Sequence, residues 1–248
     1  MGTTTGVLSL GPNRVANTWA DGCKGLGVAV LPPFINKEAP TKKELLTFFG
    51  TSPDWIYFAG HHLENYLYGE RMSVRIVFEK DEVNLFTAGP PAAKGRPYKP
   101  TQTAIEKKSV RFMLDMSDNL VILWGGCSVC ADYKTQLITD LFSLFGPHVL
   151  LGFAGMTGID MVDVLLGGSA TDKGTGKPWS LKKNFFDYLK DTEQDAEAVR
   201  NAWMQAALAG HGGTKNEGIF RAIDPDGQEW KITNKEIVRG RKIPVLSH

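Results

Sequence analysis

Two short stretches hold the residue types that could do chemistry. Cys127 stands in Asn119-Leu-Val-Ile-Leu-Trp-Gly-Gly-Cys-Ser-Val-Cys130, where an apolar run of strand length stops on two glycines. His61 and His62 close Asp54-Trp-Ile-Tyr-Phe-Ala-Gly-His-His62 in the same manner. A thiol becomes a nucleophile when its pKa falls, and a helix N-terminus or a neighbouring imidazolium lowers it. Gly125 and Gly126 let the backbone turn and other chain approach closely at that point. A thiol and an imidazole at two strand ends form a nucleophile-and-base pattern. Nothing local brings them together. The pattern exists only if the fold sets the two strands side by side and parallel, so that their C-terminal ends share the edge where open α/β proteins place their sites.

Blander readings compete at each position. Cysteine is among the commonest buried residues, and Gly-Gly is also an ordinary turn. Cys127-x-x-Cys130 with His61 and His62 offers two sulfur and two nitrogen ligands, a zinc set, although structural sites rarely draw all four ligands from two adjacent parallel strand ends. The same Cys-x-x-Cys spacing occurs in redox pairs, which open a helix in a smaller fold. His211, in Ala209-Gly-His-Gly-Gly213, follows a helical pattern, and its glycines read as a C-cap. The glycines between Gly152 and Gly158 do not complete a nucleotide fingerprint. No cofactor or metal is expected.

The elements that must position the pair read as alternating strands and helices. Val7–Leu10 is a short strand, and Asn13–Gly27, polar and glycine-rich with Trp19 and Cys23 inside it, reads as a long loop. Val28–Leu31 is a second strand. Thr41-Lys-Lys-Glu44 fits a capping box and opens a helix with Leu45, Leu46, Phe48 and Phe49 as its apolar face and Gly50 as its stop. That helix leads into the histidine strand. Arg71–Phe78 and Glu82–Phe86 alternate as a hairpin, Gly89–Pro100 is loop, and residues 63–100 together form an inserted flap. Helical spacing marks Thr103–Met116, Ala131–Phe145, Ile159–Leu166, Leu181–Lys190 and Ala196–Leu208, with a buried strand at Val149–Phe153 and loop at 167–177. A terminal hairpin around Asp224-Pro-Asp-Gly227 belongs to a C-terminal extension, residues 214–248. Apolar rather than alternating strands predict a mainly parallel sheet with helices on both faces, in a single α/β domain over 1–248.

Composition narrows the function classes. The 248 residues are 42% hydrophobic and 22% charged, as in ordinary globular proteins, and 28 Lys+Arg against 27 Asp+Glu leave a net charge of +1. Phosphate backbones demand a basic stripe, so nucleic acid is not the expected partner. No apolar run approaches the roughly 18 residues of a membrane span, and Met1-Gly-Thr-Thr-Thr-Gly lacks the pattern of a signal peptide. A cytoplasmic protein without a membrane partner is expected. Three cysteines in so long a chain do not describe a disulfide framework.

Trp55-Ile-Tyr-Phe-Ala-Gly-His-His62 and Leu120-Val-Ile-Leu-Trp-Gly-Gly-Cys-Ser128 together resemble the signatures of the caspase-fold cysteine peptidases (clan CD), the group of caspases, gingipains, legumain, separase, metacaspases and the CHAT domains. Those signatures are an apolar strand ending in His-Gly and a later one ending in a small residue plus Cys, here in the same order. Asn184-Phe-Phe-Asp-Tyr-Leu189 with Ala198–Ala207 also looks like the closing helix pair of gingipain-like and CHAT-like domains, so the likeness covers roughly residues 5–210. The resemblance implies a caspase-like sheet and a cysteine endopeptidase acting on protein or peptide substrates, with Cys127 as nucleophile and His61 as acid and base. It also implies an oxyanion site of backbone N–H groups at Cys127, following Gly126, and near Gly60–His62. His62 stands where the family usually has glycine, so either His62 tolerates the backbone angles that the oxyanion turn requires, or the site is altered, or His62 is itself the base. Asp132, Asp160, Asp163 and Glu64 lie near the strand ends, where an acidic pocket would favour Lys or Arg at the cleaved bond; acidic residues at helix starts also serve the helix dipole. The reading from another class is a catalytically inactive caspase-like signalling or scaffold module, its sheet edge serving a regulatory protein partner.

Overall fold

A computed structural model of the chain describes residues 2–11, 13–63, 66–68, 74–79, 82–87, 108–110, 121–125, 129–155, 158–171, 176–211 and 219–245. In chain order, β1 (Thr4–Ser9) leads to α1 (Arg14–Gly25), β2 (Ala29–Val30), β3 (Ile35–Asn36), α2 (Lys42–Gly50) and β4 (Trp55–Ala59). Five strands follow, β5 (His61–Leu63), β6 (Tyr66–Tyr68), β7 (Val74–Glu79), β8 (Glu82–Thr87) and β9 (Lys108–Val110). Then come β10 (Val121–Trp124), α3 (Thr135–Phe145), β11 (Val149–Phe153), α4 (Ile159–Leu165), and the small pair β12 (Ala170–Thr171) and β13 (Pro178–Trp179). After these stand α5 (Phe185–Leu189), α6 (Ala196–His211), β14 (Phe220–Ile223), β15 (Gln228–Thr233) and β16 (Glu236–Lys242).

The fold is mixed α/β, built on a central sheet in the order β16-β15-β14-β11-β10-β4-β1-β2, with β3 also paired to β1. From β11 to β2 the neighbours run parallel, whereas β14, β15 and β16 are added antiparallel. The parallel strands are apolar along their whole length because both faces are covered. Val7, Tyr57, Leu123 and Leu151 point into one core with residues of α1, α4, α5 and α6. Leu8, Phe58, Trp124 and Leu150 point into the other, with residues of α2 and α3. The second core also takes Leu67, Ile76, Phe78 and Val83 from a separate antiparallel sheet, β5 to β9 in sequence order. Phe78 seats that sheet, with its ring 5.6 Å from Phe58, 5.2 Å from Trp124 and 5.9 Å from Phe145.

Several expectations change. Residues 13–27 are not a loop: Asn13 caps α1 by accepting the Ala16 N–H at 3.0 Å, and Val15, Ala16, Trp19, Ala20 and Cys23 form its buried stripe. Gly22, Gly25 and Gly27 hide that periodicity from a composition reading. The buried Trp19 indole donates to Thr5 Oγ1 at 3.0 Å and pins the helix to β1. The expected hairpin forms as β7 and β8 but belongs to five strands, beginning at His61 and reaching Val110. Lys108–Val110, read as helical, is therefore the strand β9; the rest of 103–116 and the loop 89–100 lie outside the described residues. The helix placed at 181–190 is confined to Phe185–Leu189. The terminal hairpin gains a third strand, β16, and joins the central sheet through β14 on β11. Among the described residues no helix is long and apolar enough to cross a membrane.

The capping box of α2 forms as read. The Thr41 hydroxyl accepts the Glu44 N–H at 3.2 Å, and the Glu44 carboxylate accepts the Thr41 N–H at 2.8 Å. Thr41→Ala removes the first of these and is expected to cost about 1 kcal/mol in urea unfolding.

Candidate active site

The two motif strands are immediate neighbours. β10 pairs with β4 in parallel, Val121 opposite Trp55 and Trp124 opposite Phe58. The ladder continues to the edge, where the Gly125 N–H donates to the Phe58 carbonyl at 2.7 Å and the Leu10 N–H to that of Ala59 at 2.8 Å. Cys127 follows Trp124 by three residues, and His61 follows its partner Phe58 by three. The rung from which both positions are counted, Trp124 opposite Phe58, thus lies at one end of the two strands. Gly126, Cys127, Ser128 and Glu64 lie outside the described residues, as do the side chains of His61 and His62.

The backbone between β4 and β5 bears on the unusual His62. The sharp change of direction falls at Gly60, whose φ of +151° suits glycine. His61 and His62 then take extended positions in β5, opposite Tyr68 and Leu67.

Toward α1 and α4, the edge is lined by packing and charge. Gly125 admits Tyr57: a Cβ added there would lie 2.8 Å from the tyrosine hydroxyl. Burial, and secondarily the charge of Asp163, push the Tyr57 phenol well above its ordinary pKa, so it stays a neutral hydroxyl. Asp163, its side chain only 3% exposed, is held by Arg14 Nε at 2.8 Å and by the Thr18 hydroxyl at 2.6 Å. The same guanidinium meets the half-exposed Asp160 at 2.6 Å. Arg14 and Thr18 belong to α1 after β1, and both aspartates to α4 after β11, the two strands that flank β4 and β10. Arg14 is set by the cap before it, since Asn13 donates to Ser9 Oγ at 2.6 Å and its N–H reaches Asn36 Oδ1 at 2.9 Å.

The third aspartate is apart from this pair. Asp132 lies in the turn before α3, 3.6 Å from Arg241 of β16. Beside it Tyr133 is 77% exposed. Cys130 is buried, its N–H donating to the Phe153 carbonyl at 2.9 Å, and it packs into the core beneath α3. Burial pushes its thiol up to about 12, with Arg221, Glu229 and Arg241 as smaller charges around it. Burial also pushes the Cys23 thiol up, opposed by a hydrogen bond with Thr5. Both are protonated core residues, which weighs against Cys130 as a thiolate ligand or redox partner. Among the described residues no group of three or more His, Cys, Asp or Glu is placed to hold a metal ion.

Sequence reasoning missed Arg14, Thr18, Tyr57 and Arg241. The recoverable signal was Asn13 ahead of the Val15, Ala16, Trp19, Ala20, Cys23 spacing, which places Arg14 at the start of a helix after the first strand. Arg14→Met leaves the buried Asp163 with Thr18 alone. Because Arg14 is itself half exposed, the expected loss in urea unfolding is about 2 kcal/mol, less than for a fully buried pair. Adding Asp163→Asn is expected to restore part of it.

No protein-family model and no curated protein matches the sequence. Among solved structures, the chain is similar to a secreted C11 cysteine protease from Bacteroides thetaiotaomicron, determined in complex with an irreversible peptide inhibitor. Identity is 12% and the TM-score 0.39, with 91% of this chain and 66% of that protein covered, so this chain spans somewhat less than two thirds of its length.

Proposed function

We propose that this chain is a cysteine peptidase in which Cys127 attacks the peptide carbonyl and His61 moves the protons. The observation that supports this most is the in-register parallel pairing of β4 with β10, the strands that precede His61 and Cys127 in sequence by equal lengths from the Phe58–Trp124 rung. The Cys127 sulfur, as thiolate, bonds to the carbonyl carbon, and the carbonyl π pair passes to oxygen. Backbone N–H groups at Cys127, following Gly126, and in the Gly60–His62 turn hold that oxyanion. When it collapses, the C–N bond breaks and the amine leaves with the proton of the His61 imidazolium. His61 then takes a proton from water, the resulting hydroxide displaces sulfur from the thioester, and the acid product departs. The substrates are polypeptides, and the chemistry calls for no cofactor. Asp160, half exposed at the α4 start and shared with Arg14, and the more exposed Asp132 are the aspartates open to a basic substrate side chain, whereas Asp163 is buried.

The experiment is alkylation by iodoacetamide, read at each cysteine by peptide mass spectrometry. Cys23 and Cys130 are buried and slow in any case, so a rate difference among the three thiols decides nothing. Dependence on His61 does. At pH 6.5 an ordinary thiol is almost wholly protonated, and pairing with imidazolium is what makes it reactive. His61→Ala is expected to slow Cys127 labelling about ten-fold or more, and Cys127→Ala to abolish hydrolysis of a mixed peptide library. Equal labelling with and without His61 would sink the peptidase reading in favour of the inactive module.

A further inference from the structure

The described residues on either side of Cys127 are anchored to the central sheet. Upstream, Gly125 is fixed by its hydrogen bond to Phe58; downstream, Cys130 is fixed by its bond to Phe153. Beyond Cys130, the chain reaches α3 through Ala131–Lys134, and α3 starts without a side-chain cap. What grips this stretch instead is a residue of β16, more than a hundred positions away in sequence. Arg241 Nη1 donates to the Asp132 carbonyl at 2.6 Å and to Thr135 Oγ1 at 3.1 Å, while Nη2 donates to the Ala131 carbonyl at 3.1 Å. Its Nε lies 3.5 Å from Glu229 and 3.6 Å from the Asp132 carboxylate. Glu229, only 1% exposed, is held in turn by Arg221 Nε at 3.0 Å, and the Arg241 N–H reaches its second oxygen at 3.4 Å. The guanidinium is therefore fixed from behind by a buried carboxylate and spends its fork on main-chain carbonyls.

We infer that Arg241 is a positioning residue: by holding the carbonyls of Ala131 and Asp132 it fixes the chain just downstream of Cys127, and the reactivity that His61 confers on that thiol depends on this grip. This role rests on the peptidase reading. A lysine cannot replace it fully, because a single ammonium lacks the planar fork that reaches both carbonyls and Glu229 together. A role in stability alone would lower the melting temperature without changing how Cys127 depends on His61.

The test is the pH profile of Cys127 alkylation by iodoacetamide in wild type, Arg241→Met, Arg241→Lys, His61→Ala and the Arg241→Met/His61→Ala double variant, with melting temperatures measured alongside. Arg241→Met is expected to slow labelling at pH 6.5 about ten-fold and to move the profile toward that of an ordinary thiol. Arg241→Lys is expected to shift it less, in the same direction, and decides the matter if the methionine variant does not fold. In the His61→Ala background, Arg241→Met should change nothing further. Unchanged profiles in both Arg241 variants, with wild-type labelling still dependent on His61, overturn the inference and leave the peptidase reading standing. Labelling that ignores His61 in the wild type removes the peptidase reading, and this inference with it.

Discussion

The pairing of β4 with β10 is the constraint on which the rest depends. Parallel neighbours cannot be joined by a tight turn, and they persist in proteins when both faces are kept from water. Here one face is covered by α1, α4, α5 and α6, and the other by α2, α3 and the second sheet. Every residue of β4 and β10 is buried, so a slip of one position would turn Tyr57 and Leu123 into the α3 core and Phe58 and Trp124 into the α1 core. Register at the edge is thus specified by packing well below it.

The second sheet does more than occupy the connection between these strands. Its first strand begins at His61, directly after the turn at Gly60, so the histidine position answers both to the end of β4 and to pairing with β6. Phe78 joins the two sheets by packing among Phe58, Trp124 and Phe145. Leu67, Ile76, Phe78 and Val83 of the inserted segment thus belong to the core that β4 and β10 share with α2 and α3.

Charge is arranged at this edge with the same economy. Arg14 serves the buried Asp163 and Arg241 the buried Glu229, and each guanidinium reaches from a distant element across to the chain around the strand ends. A buried carboxylate is costly unless paired and hydrogen-bonded, so each arginine is held in place by the penalty of leaving it. On the side of α1 the result is a clamp between two helices. On the side of α3 it is a grip on main-chain carbonyls, where the helix has no cap of its own.

Local features were readable in the sequence where local physics decides them. The capping box at Thr41 and Glu44, the apolar strands at Trp55–Ala59, Val121–Trp124 and Val149–Phe153, and the amphipathic run ending at Phe145 depend on neighbours in the chain. So do the ends of the first two of these strands, at Ala59 and Trp124. Residues 13–27 failed because glycine count outweighed a helical stripe whose burial only the sheet supplies, and 108–110 because a short segment takes its conformation from the strand beside it. The adjacency of β4 and β10, the second sheet on their flank, and the reach of Arg14 and Arg241 were left to the tertiary structure. Those are long-range pairings, determined by which surfaces can be buried together, and no window of sequence contains both partners.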